Sequence, residues 1–250
     1  EMRRRFRDDG RGGLGMSEAA PGADAPDPRV AELEARLSKL KRREQRNLRQ
    51  ARAHGFLDGI LALLRPGDVV IDCGANVGDV SARLAATGAT VIAFEPDPYA
   101  IEKLSERLAG CDNVTLHQQA VSTEAGTLKL MRASNFDDNP KGGSVKSTLL
   151  SGGRGISEED SIEVEVIDFV AFLRDLVAKS GPIAFLKMDI EGAELALLRA
   201  MDEAGLFADI RCLVAETHER KFKDLRSDYR ALRDTISEKY SPQHVNLDWI

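Results

Sequence analysis

From Val69 onwards, short apolar segments alternate with amphipathic ones, and this alternation constrains the fold more than any other feature of the chain. The apolar segments have the length and β-branched content of strands and lie at residues 69–73, 90–94, 114–118, 183–188 and 210–215. Amphipathic helices are predicted over residues 79–86, 98–108, 191–201 and 224–238. Strands that alternate with helices favour a parallel sheet covered on both faces and joined by right-handed crossovers. The sequence therefore predicts an α/β fold with a doubly wound, mostly parallel sheet.

Two regions depart from this alternation. Thr127–Met131 and Ile162–Ile167 are predicted as strands that flank a long polar loop, and a loop of that length in a compact domain is usually functional or mobile. At the C-terminus, only His244–Ile250 could supply a final strand, so the last hairpin is expected to be short or completed by another chain.

Charge divides the chain at about residue 55. Residues 1–55 carry 14 Lys and Arg against 9 Asp and Glu, whereas the whole chain has a formal net charge of −6. We predict a disordered tail over residues 1–28, because Gly, Pro, Ala, Arg and Asp dominate it without periodicity. A basic helical arm is predicted over residues 29–55, beginning after Pro28 and ending at Gly55. The folded domain then covers residues 56–250.

The predicted arm carries a short coiled-coil pattern. Val30, Leu33, Leu37 and Leu40 follow a 3, 4, 3 spacing, and most ionisable residues from Arg36 to Arg52 are basic. We interpret the arm as a solvated helix that packs on the body or on a second copy, which gives a homodimer through residues 29–54. The alternative interpretations of its positive charge are binding to nucleic acid and binding to an acidic membrane. The segment lacks interleaved aromatic residues and a bulky apolar face, so neither is favoured.

Cysteine content and hydropathy restrict the class of protein. Cys73, Cys111 and Cys212 are far apart and show no metal-ligand spacing, so neither a disulfide scaffold nor a zinc ribbon is expected. No apolar run near the N-terminus is long enough to cross a bilayer or to form a signal-peptide core. A reduced cytoplasmic protein is expected.

The end of the first strand carries a small-residue loop that contains Asp72, Gly74, Ala75, Asn76 and Gly78. Its glycines follow a G-x-x-x-G spacing, whereas a dinucleotide site needs G-x-G-x-x-G. An acidic residue before the glycines suits a cationic ligand better than a phosphate. The alternative is that the glycines only permit tight packing of the strand against the next helix.

The next two strand ends suggest recognition of a nucleoside. Glu95 ends the second strand, where a carboxylate can accept hydrogen bonds from two ribose hydroxyls. Asp97, two residues later, better fits a carboxylate at a helix N-terminus. Gln119 follows the third strand and could hydrogen-bond the edge of an adenine.

The last two strand ends carry the candidate catalytic groups. Asp189 follows the fourth strand beside Glu191 and Glu194, and Glu216 and His218 follow the fifth. If these strands are neighbours, carboxylates and an imidazole meet at one edge of the sheet, where they could act in proton transfer. Glu191 and Glu194 could instead merely favour a helix N-terminus.

These motifs resemble the FkbM family of class I S-adenosylmethionine-dependent methyltransferases. The matching segments are Val70–Asp79, Ala93–Pro98, Leu186–Glu194 and Glu216–His218. The resemblance covers residues 56–220 and implies a Rossmann-like fold and methyl transfer to a hydroxyl, commonly of a sugar or glycan or of a secondary metabolite. It implies that the methionine part of S-adenosylmethionine lies against Asp72, Gly74, Ala75, Asn76 and Gly78. It further implies that Glu95 and Pro96 hold the ribose and that Gln119 and Ala120 hold the adenine.

Methyl transfer from a sulfonium needs an aligned acceptor and removal of its proton. The candidates for that chemistry are Asp189, Glu216 and His218. Our hypothesis is that His218, oriented by a carboxylate, takes the proton while Asp189 orders the cofactor amine or the acceptor. In a less favoured variant, Asp189 and Glu216 hold a divalent ion that lowers the hydroxyl pKa. The loop over residues 139–155 is expected to cover the acceptor or to be disordered.

Other functions remain open at this point. Tyr99 and Lys103 have the Tyr-x-x-x-Lys spacing of short-chain dehydrogenases, but they follow the second strand and are interpreted as helix surface. The Asn/Asp-Pro-Pro-Tyr/Phe segment of enzymes that methylate adenine or glutamine nitrogen is missing after the fourth strand. A protein whose coiled-coil arm mediates interactions, with the fold as a platform, is the non-enzymatic alternative.

Overall fold

A computed structural model describes residues 27–133, 147–148, 156–219 and 222–249, with the backbone alone at 132–133 and 156–160. Most of the predicted tail (1–28) and of the predicted loop (139–155) lies outside the described residues. Of the described residues, those up to Arg46 belong to one compact unit and those from Asn47 onwards to a second. The elements below belong to the second unit, apart from the first part of the N-terminal helix.

The N-terminal helix α1 spans Pro28–Leu63 without interruption, so the prediction that it ends at Gly55 is wrong. Ala53 and Leu57, which flank Gly55, are buried in a hydrophobic cluster of the second unit. Their burial outweighs the cost of a glycine inside a helix, which is about 1 kcal/mol. Packing therefore carries this helix through Gly55, and the glycine signal in the sequence does not end it.

Nine strands and five further helices follow α1 in the described residues. The strands are β1 (Val69–Cys73), β2 (Thr90–Phe94), β3 (Val114–His117), β4 (Ala120–Ser122), β5 (Gly126–Ala133), β6 (Ile156–Asp168), β7 (Phe185–Met188), β8 (Leu213–Ala215) and β9 (Val245–Asn246). The helices are α2 (Asp79–Ala85), α3 (Pro98–Arg107), α4 (Phe169–Ser180), α5 (Glu194–Glu203) and α6 (Arg226–Lys239). Short 3-10 turns at Leu206–Asp209 and Lys223–Leu225 precede β8 and α6.

The main sheet has the order β3-β2-β1-β7-β8-β9, and every pairing within it is parallel. Successive residues of β1 point to opposite faces, so Ile71 enters one hydrophobic cluster and Val70 the other. Helices α4, α5 and α6 contribute to the first cluster, whereas α2, α3 and the end of α1 contribute to the second. This arrangement confirms the predicted doubly wound parallel sheet.

The stretch that breaks the alternation forms a second sheet of order β4-β6-β5. β5 and β6 pair antiparallel and contain both strands predicted there, while β4 pairs parallel to β6. The sequence reasoning did not find β4, which has only three residues. It also missed α4, although the Asp168 carboxylate caps the helix by accepting from the Ala171 N–H, and Phe169 and Leu173 are buried.

The last helices and the C-terminus differ in detail from the prediction. α5 begins at Glu194 rather than at Glu191, because Glu191 and Gly192 have φ values of 58° and 122°. The C-terminal segment contributes β9, parallel to β8, and an isolated antiparallel bridge between Glu216 and Asp248. The three cysteines are free thiols. Among the described residues, every helix is too short or too polar to cross a membrane.

Candidate functional site

Backbone hydrogen bonds align the carboxyl ends of neighbouring strands. The N–H of Asp189 donates to the Cys73 carbonyl, and the N–H of Glu216 donates to the Met188 carbonyl, each at 3.0 Å. β7 and β8, which precede Asp189 and Glu216, pair directly, so the two carboxylates come to one edge of the sheet. The expectation that the fourth and fifth strands of the alternation are neighbours is confirmed.

A cavity of about 390 Å³ opens at this edge. Most of the residues predicted to bind a cofactor line it, namely Gly74, Ala75, Asn76, Glu95, Pro96, Gln119, Ala120 and Asp189. Among the described residues, the lining does not include Asp72 or Gly78, which are buried. The lining also omits Glu216 and His218, although it includes Asp189 and Glu191 beside them.

Interactions within the protein explain both glycines of the loop after β1. Gly74 has φ 75°, and a Cβ there would lie 1.8 Å from the carbonyl oxygen of Asp189. Gly78 has φ 86°, and a Cβ there would lie 2.6 Å from Leu104 Cδ1. Close packing inside the protein thus accounts for the glycines, but against the turn after β7 and against α3 rather than between the strand and the next helix, as the alternative from the sequence had it. Protein atoms occupy the positions where side chains at Gly74 and Gly78 would project. A ligand would therefore lie beside the loop, in the cavity.

Behind this loop, Asp72 and Lys187 form a buried ion pair. The Lys187 Nζ lies 3.2 Å from Asp72 Oδ1 and donates to the Gly74 carbonyl at 2.8 Å, while Ser81 Oγ donates to Asp72 Oδ2 at 2.6 Å. Burial opposes the charged form of Lys187, but the charges of Asp72 and Asp189 outweigh it and raise the lysine pKa above its usual range. The sequence reasoning missed Lys187. A lysine inside an apolar strand is the feature of the sequence that could have revealed it, because a buried lysine needs a partner of opposite charge.

Glu95 lies in the cavity wall with its side chain held by the backbone. Its two carboxylate oxygens accept hydrogen bonds from the N–H groups of Asn76 (2.8 Å) and Asp97 (2.9 Å). Burial raises the pKa of the Glu95 carboxyl to about 7, although these two backbone donors lower it. Asp97 caps α3 by accepting from the Tyr99 and Ala100 N–H groups, as its position in the sequence suggested.

His218 is surrounded by carboxylates. Its Nδ1 lies 3.0 Å from Glu194 Oε1, and its Nε2 lies 3.3 Å from Glu191 Oε2. Asp189 and Glu216 follow at 3.8 and 3.9 Å from Nε2. Burial alone would lower the pKa of His218, but Glu194 and the other acidic side chains raise it to about 9. The ring is therefore mainly an imidazolium at neutral pH.

Backbone N–H groups and the Tyr229 hydroxyl hold the turn beside His218 in place. The Glu194 carboxylate accepts from the N–H groups of Ile190 and Gly192, each at 2.9 Å, and the Tyr229 hydroxyl donates to the Gly192 carbonyl at 3.1 Å. Burial, followed by the charge of Asp189, raises the pKa of Glu216 to about 7. Glu194 was not among the candidate catalytic residues predicted from the sequence, where a helix N-terminal role was one of its two interpretations, and Tyr229 was not singled out.

The same cluster has the donor types of a metal site. One ligand atom each from Asp189, Glu194 and His218 lies within 4.8 Å of the others. The Nδ1 of His218 already contacts Glu194, so a metal would have to use Nε2, which needs the neutral ring. The variant in which Asp189 and Glu216 hold an ion does not use His218 as a ligand, but it would place the ion beside the imidazolium, whose Nε2 lies 3.8 and 3.9 Å from these two carboxylates.

A family model described as "Methyltransferase FkbM domain" matches residues 72–241 of the chain. The chain belongs to the FkbM methyltransferase family. This match includes every strand end described above, so the resemblance seen in the motifs is confirmed, and the FkbM domain makes this chain a methyltransferase.

Curated relatives agree with this membership. "31-O-demethyl-FK506 methyltransferase FkbM" of Streptomyces tacrolimicus is 33% identical over 180 residues, which are 62% of this chain and 67% of the relative. "Methyltransferase sdnD" of Sordaria araneosa is 30% identical over 181 residues, 64% of this chain and 70% of the relative. "Hexuronic acid methyltransferase AglP" of Haloferax volcanii is 26% identical over 155 residues, 60% of this chain and 56% of the relative.

Membership in the FkbM family decides against the oxidoreductase alternative and implies use of S-adenosylmethionine. The Tyr-x-x-x-Lys segment lies on α3, as expected, where the Lys103 ammonium pairs with Glu106 at 2.9 Å. This lysine is engaged in a helix surface pair and lies outside the residues that line the cavity.

Proposed function

We propose that this FkbM-family protein transfers a methyl group from S-adenosylmethionine to a hydroxyl of a sugar, a glycan or a secondary metabolite. The observation that carries the proposal is the cavity at the strand ends, which exposes the Asp189 carboxylate next to the predicted cofactor loop. Relatives named for 31-O-demethyl-FK506 and for a hexuronic acid support a hydroxyl-bearing acceptor.

The donor set of the cavity fits S-adenosylmethionine. The ionisable acidic side chains that line it are Asp79, Glu95, Asp189 and Glu191, against the cations Arg83 and Lys187. Excess negative charge favours a cationic sulfonium, and about 390 Å³ falls within the usual range for small-molecule sites. When bound, the cofactor supplies an electrophilic methyl group.

Glu95, Gln119 and Asn76 are the residues that we propose hold the cofactor. Each carboxylate oxygen of Glu95 accepts one backbone hydrogen bond and keeps a second lone pair for a ribose hydroxyl. The Gln119 amide offers both a donor and an acceptor to an adenine edge. Asn76 is held at φ 48° by the loop, which fixes the cavity wall before a ligand arrives.

We propose Asp189 as the group that accepts the acceptor's proton. Of the three candidate catalytic residues, Asp189 is the one that lines the described cavity. A protonated His218 cannot take a second proton, and its pKa of about 9 favours that state. His218 then acts as a fixed cation that holds the Asp189, Glu191 and Glu216 carboxylates together.

The interactions of His218 support turnover without a divalent metal. The His218 imidazolium already pairs with carboxylates that a metal would otherwise bind. Bound metal would have to displace the proton from Nε2, which costs more as the ring's pKa rises. We therefore propose that Asp189 and Glu216 work beside an imidazolium.

For the arm, we propose self-association through residues 29–54. Val30, Leu33, Leu37 and Leu40 are between 48% and 63% exposed and share one face of α1. A second copy of the same stripe would bury these four apolar side chains in a short coiled coil.

The experiment that tests the enzymatic function has two stages. Calorimetry should show binding of S-adenosylhomocysteine, the demethylated cofactor, and no binding of NAD. Purified protein, methyl-labelled S-adenosylmethionine and a cell extract should then yield a labelled product, whose methyl group mass spectrometry locates on oxygen. A labelled nitrogen or carbon atom would contradict hydroxyl methylation.

A further inference from the structure

We propose that Ser147 is a ligand-binding residue of the cavity, whose side chain hydrogen-bonds to a hydroxyl group of a bound molecule. The inference rests on the proposed function, because that function brings hydroxyls into the cavity from two sources, the cofactor ribose and the acceptor. From the sequence, Ser147 was only one residue of the loop over residues 139–155 that was expected to cover the acceptor or to be disordered, and it was not among the candidate site residues.

Ser147 is buried and faces the cavity without a partner. Its residue is 8% exposed, it lines the cavity, and its Oγ has no hydrogen-bond partner within the part of the chain that the structure describes. Other polar groups of the wall are engaged, since Glu95 accepts two backbone hydrogen bonds and Lys187 donates to the Gly74 carbonyl. Buried hydroxyls in folded proteins nearly always have a partner. A ligand in the cavity would supply the missing one.

The backbone beside Ser147 is anchored on two sides. Thr148 and Met131 exchange two backbone hydrogen bonds, each at 2.9 Å, which attach the segment to β5. The Thr148 hydroxyl donates to the Glu191 carbonyl at 2.6 Å, which attaches it to the turn before α5. The backbone next to Ser147 is therefore positioned by contacts that do not involve the Ser147 hydroxyl.

These anchors place Ser147 between two parts of the cavity wall. The cavity lining includes Leu130, which precedes the anchor residue Met131 in β5. It also includes Glu191, whose carbonyl is the other anchor. A serine hydroxyl both donates and accepts, and so does a ligand hydroxyl, which makes the two groups compatible without any charge.

The first experiment measures cofactor binding and stability in the full chain. Ser147→Ala removes the hydroxyl, Ser147→Cys keeps nearly the same size, and Ser237→Ala repeats the change on the exposed face of α6 as a control. Because the Ser147 hydroxyl makes no internal hydrogen bond, both variants should melt at or above the wild-type temperature without ligand. If the ribose is the partner, both should bind S-adenosylhomocysteine about 5- to 10-fold more weakly.

The second experiment tests the other source of the hydroxyl. Initial rates of transfer from labelled S-adenosylmethionine are measured against dilutions of the small-molecule fraction of a cell extract. If the acceptor is the partner, the variants bind S-adenosylhomocysteine normally but need about 5- to 10-fold more extract for half-maximal rate. Weakening in either experiment supports the proposal and identifies the source.

Unchanged cofactor affinity together with an unchanged extract dependence would overturn the role of Ser147. A lower melting temperature in the absence of ligand would also overturn it, since the hydroxyl would then have a structural partner. The proposed function fails separately, because in that case wild-type protein itself would not bind S-adenosylhomocysteine or transfer a methyl group to oxygen.

Discussion

The Nδ1 of His218 lies 3.0 Å from Oε1 of Glu194, a carboxylate with no exposed surface. The partners are 24 residues apart in the chain, and the Glu194 carboxylate is also held by the backbone N–H groups of Ile190 and Gly192. An imidazole fixed in this way against a buried acid is stabilised in its charged form. The pair therefore affects the pH dependence of both stability and catalysis.

Stability should fall as the pH rises through the pKa of His218. The pKa is about 9 in the folded chain and about 6.5 for an unperturbed histidine, so the stabilisation is complete below pH 6.5 and is lost as the pH passes 9. We expect the free energy of unfolding in urea to fall between pH 6 and pH 9.5. This fall should be up to about 3 kcal/mol larger in wild type than in His218→Gln. His54→Gln, at an exposed histidine, should behave as wild type. If wild type and His218→Gln lose the same free energy of unfolding between pH 6 and pH 9.5, the pairing is contradicted.

Asp189→Asn should remove most of the turnover and leave cofactor binding nearly intact. Loss of a general base lowers the rate by about 10²- to 10⁴-fold, whereas the isosteric amide keeps the shape of the cavity. Turnover in the extract assay and calorimetry with S-adenosylhomocysteine measure the two effects. Asp175→Asn, at an exposed position of α4, serves as the control. A larger loss in His218→Gln than in Asp189→Asn would return the proton-accepting role to His218.

Lys187→Met should destabilise the fold by about 3–5 kcal/mol, because it leaves the buried Asp72 carboxylate without its cation. Chemical unfolding measures the loss. Combining it with Asp72→Asn removes the orphaned charge and should recover part of the stability. Lys179→Met, at an exposed lysine in the last turn of α4, should change stability little. Additive losses in the double variant would mean that the two residues do not interact.

Divalent metal should not stabilise the enzyme or be required by it. With the His218 imidazolium in the cluster, Mn²⁺ or Mg²⁺ should leave the melting temperature unchanged at pH 7, and EDTA should leave turnover unchanged. A rise of several degrees with Mn²⁺ that disappears in His218→Gln would instead indicate a metal held by Asp189, Glu194 and His218.

Self-association should depend on the exposed stripe of α1. Leu33→Glu with Leu37→Glu places charge at the proposed coiled-coil seam and should convert dimer to monomer in light scattering. Ala35→Glu makes the same chemical change about 160–200° around the helix and should leave the dimer intact. A monomeric wild type would remove the proposal.

The sequence predicted the sheet and the strand-end positions well because both depend on local pattern. Each strand end was located from an apolar run followed by polar residues, and the parallel order then brought Asp189 and Glu216 together. Where packing overrides local propensity, the prediction failed. α1 continues through Gly55 because Ala53 and Leu57 are buried, and no local signal contains that information.

The missed site residues act through contacts between distant positions. Lys187 pairs with Asp72, 115 positions earlier in the chain, and Glu194 binds a histidine that follows a different strand. Composition and motifs show that a chain contains buried charged residues, but they do not show which residue pairs with which in the fold. Ser147 lies in the loop that the sequence predicted to cover the acceptor or to be disordered. Its burial depends on the fold, because the next residue, Thr148, contacts Glu191 and Met131.

The close approach at Gly74 limits how this enzyme can be re-engineered. Any larger residue there would meet the Asp189 carbonyl, so a change to the loop after β1 displaces the turn after β7. Directed evolution toward new acceptors is therefore better confined to wall positions such as Leu130, whose side chain borders the cavity. Variation can accumulate there while the paired strand ends stay in register.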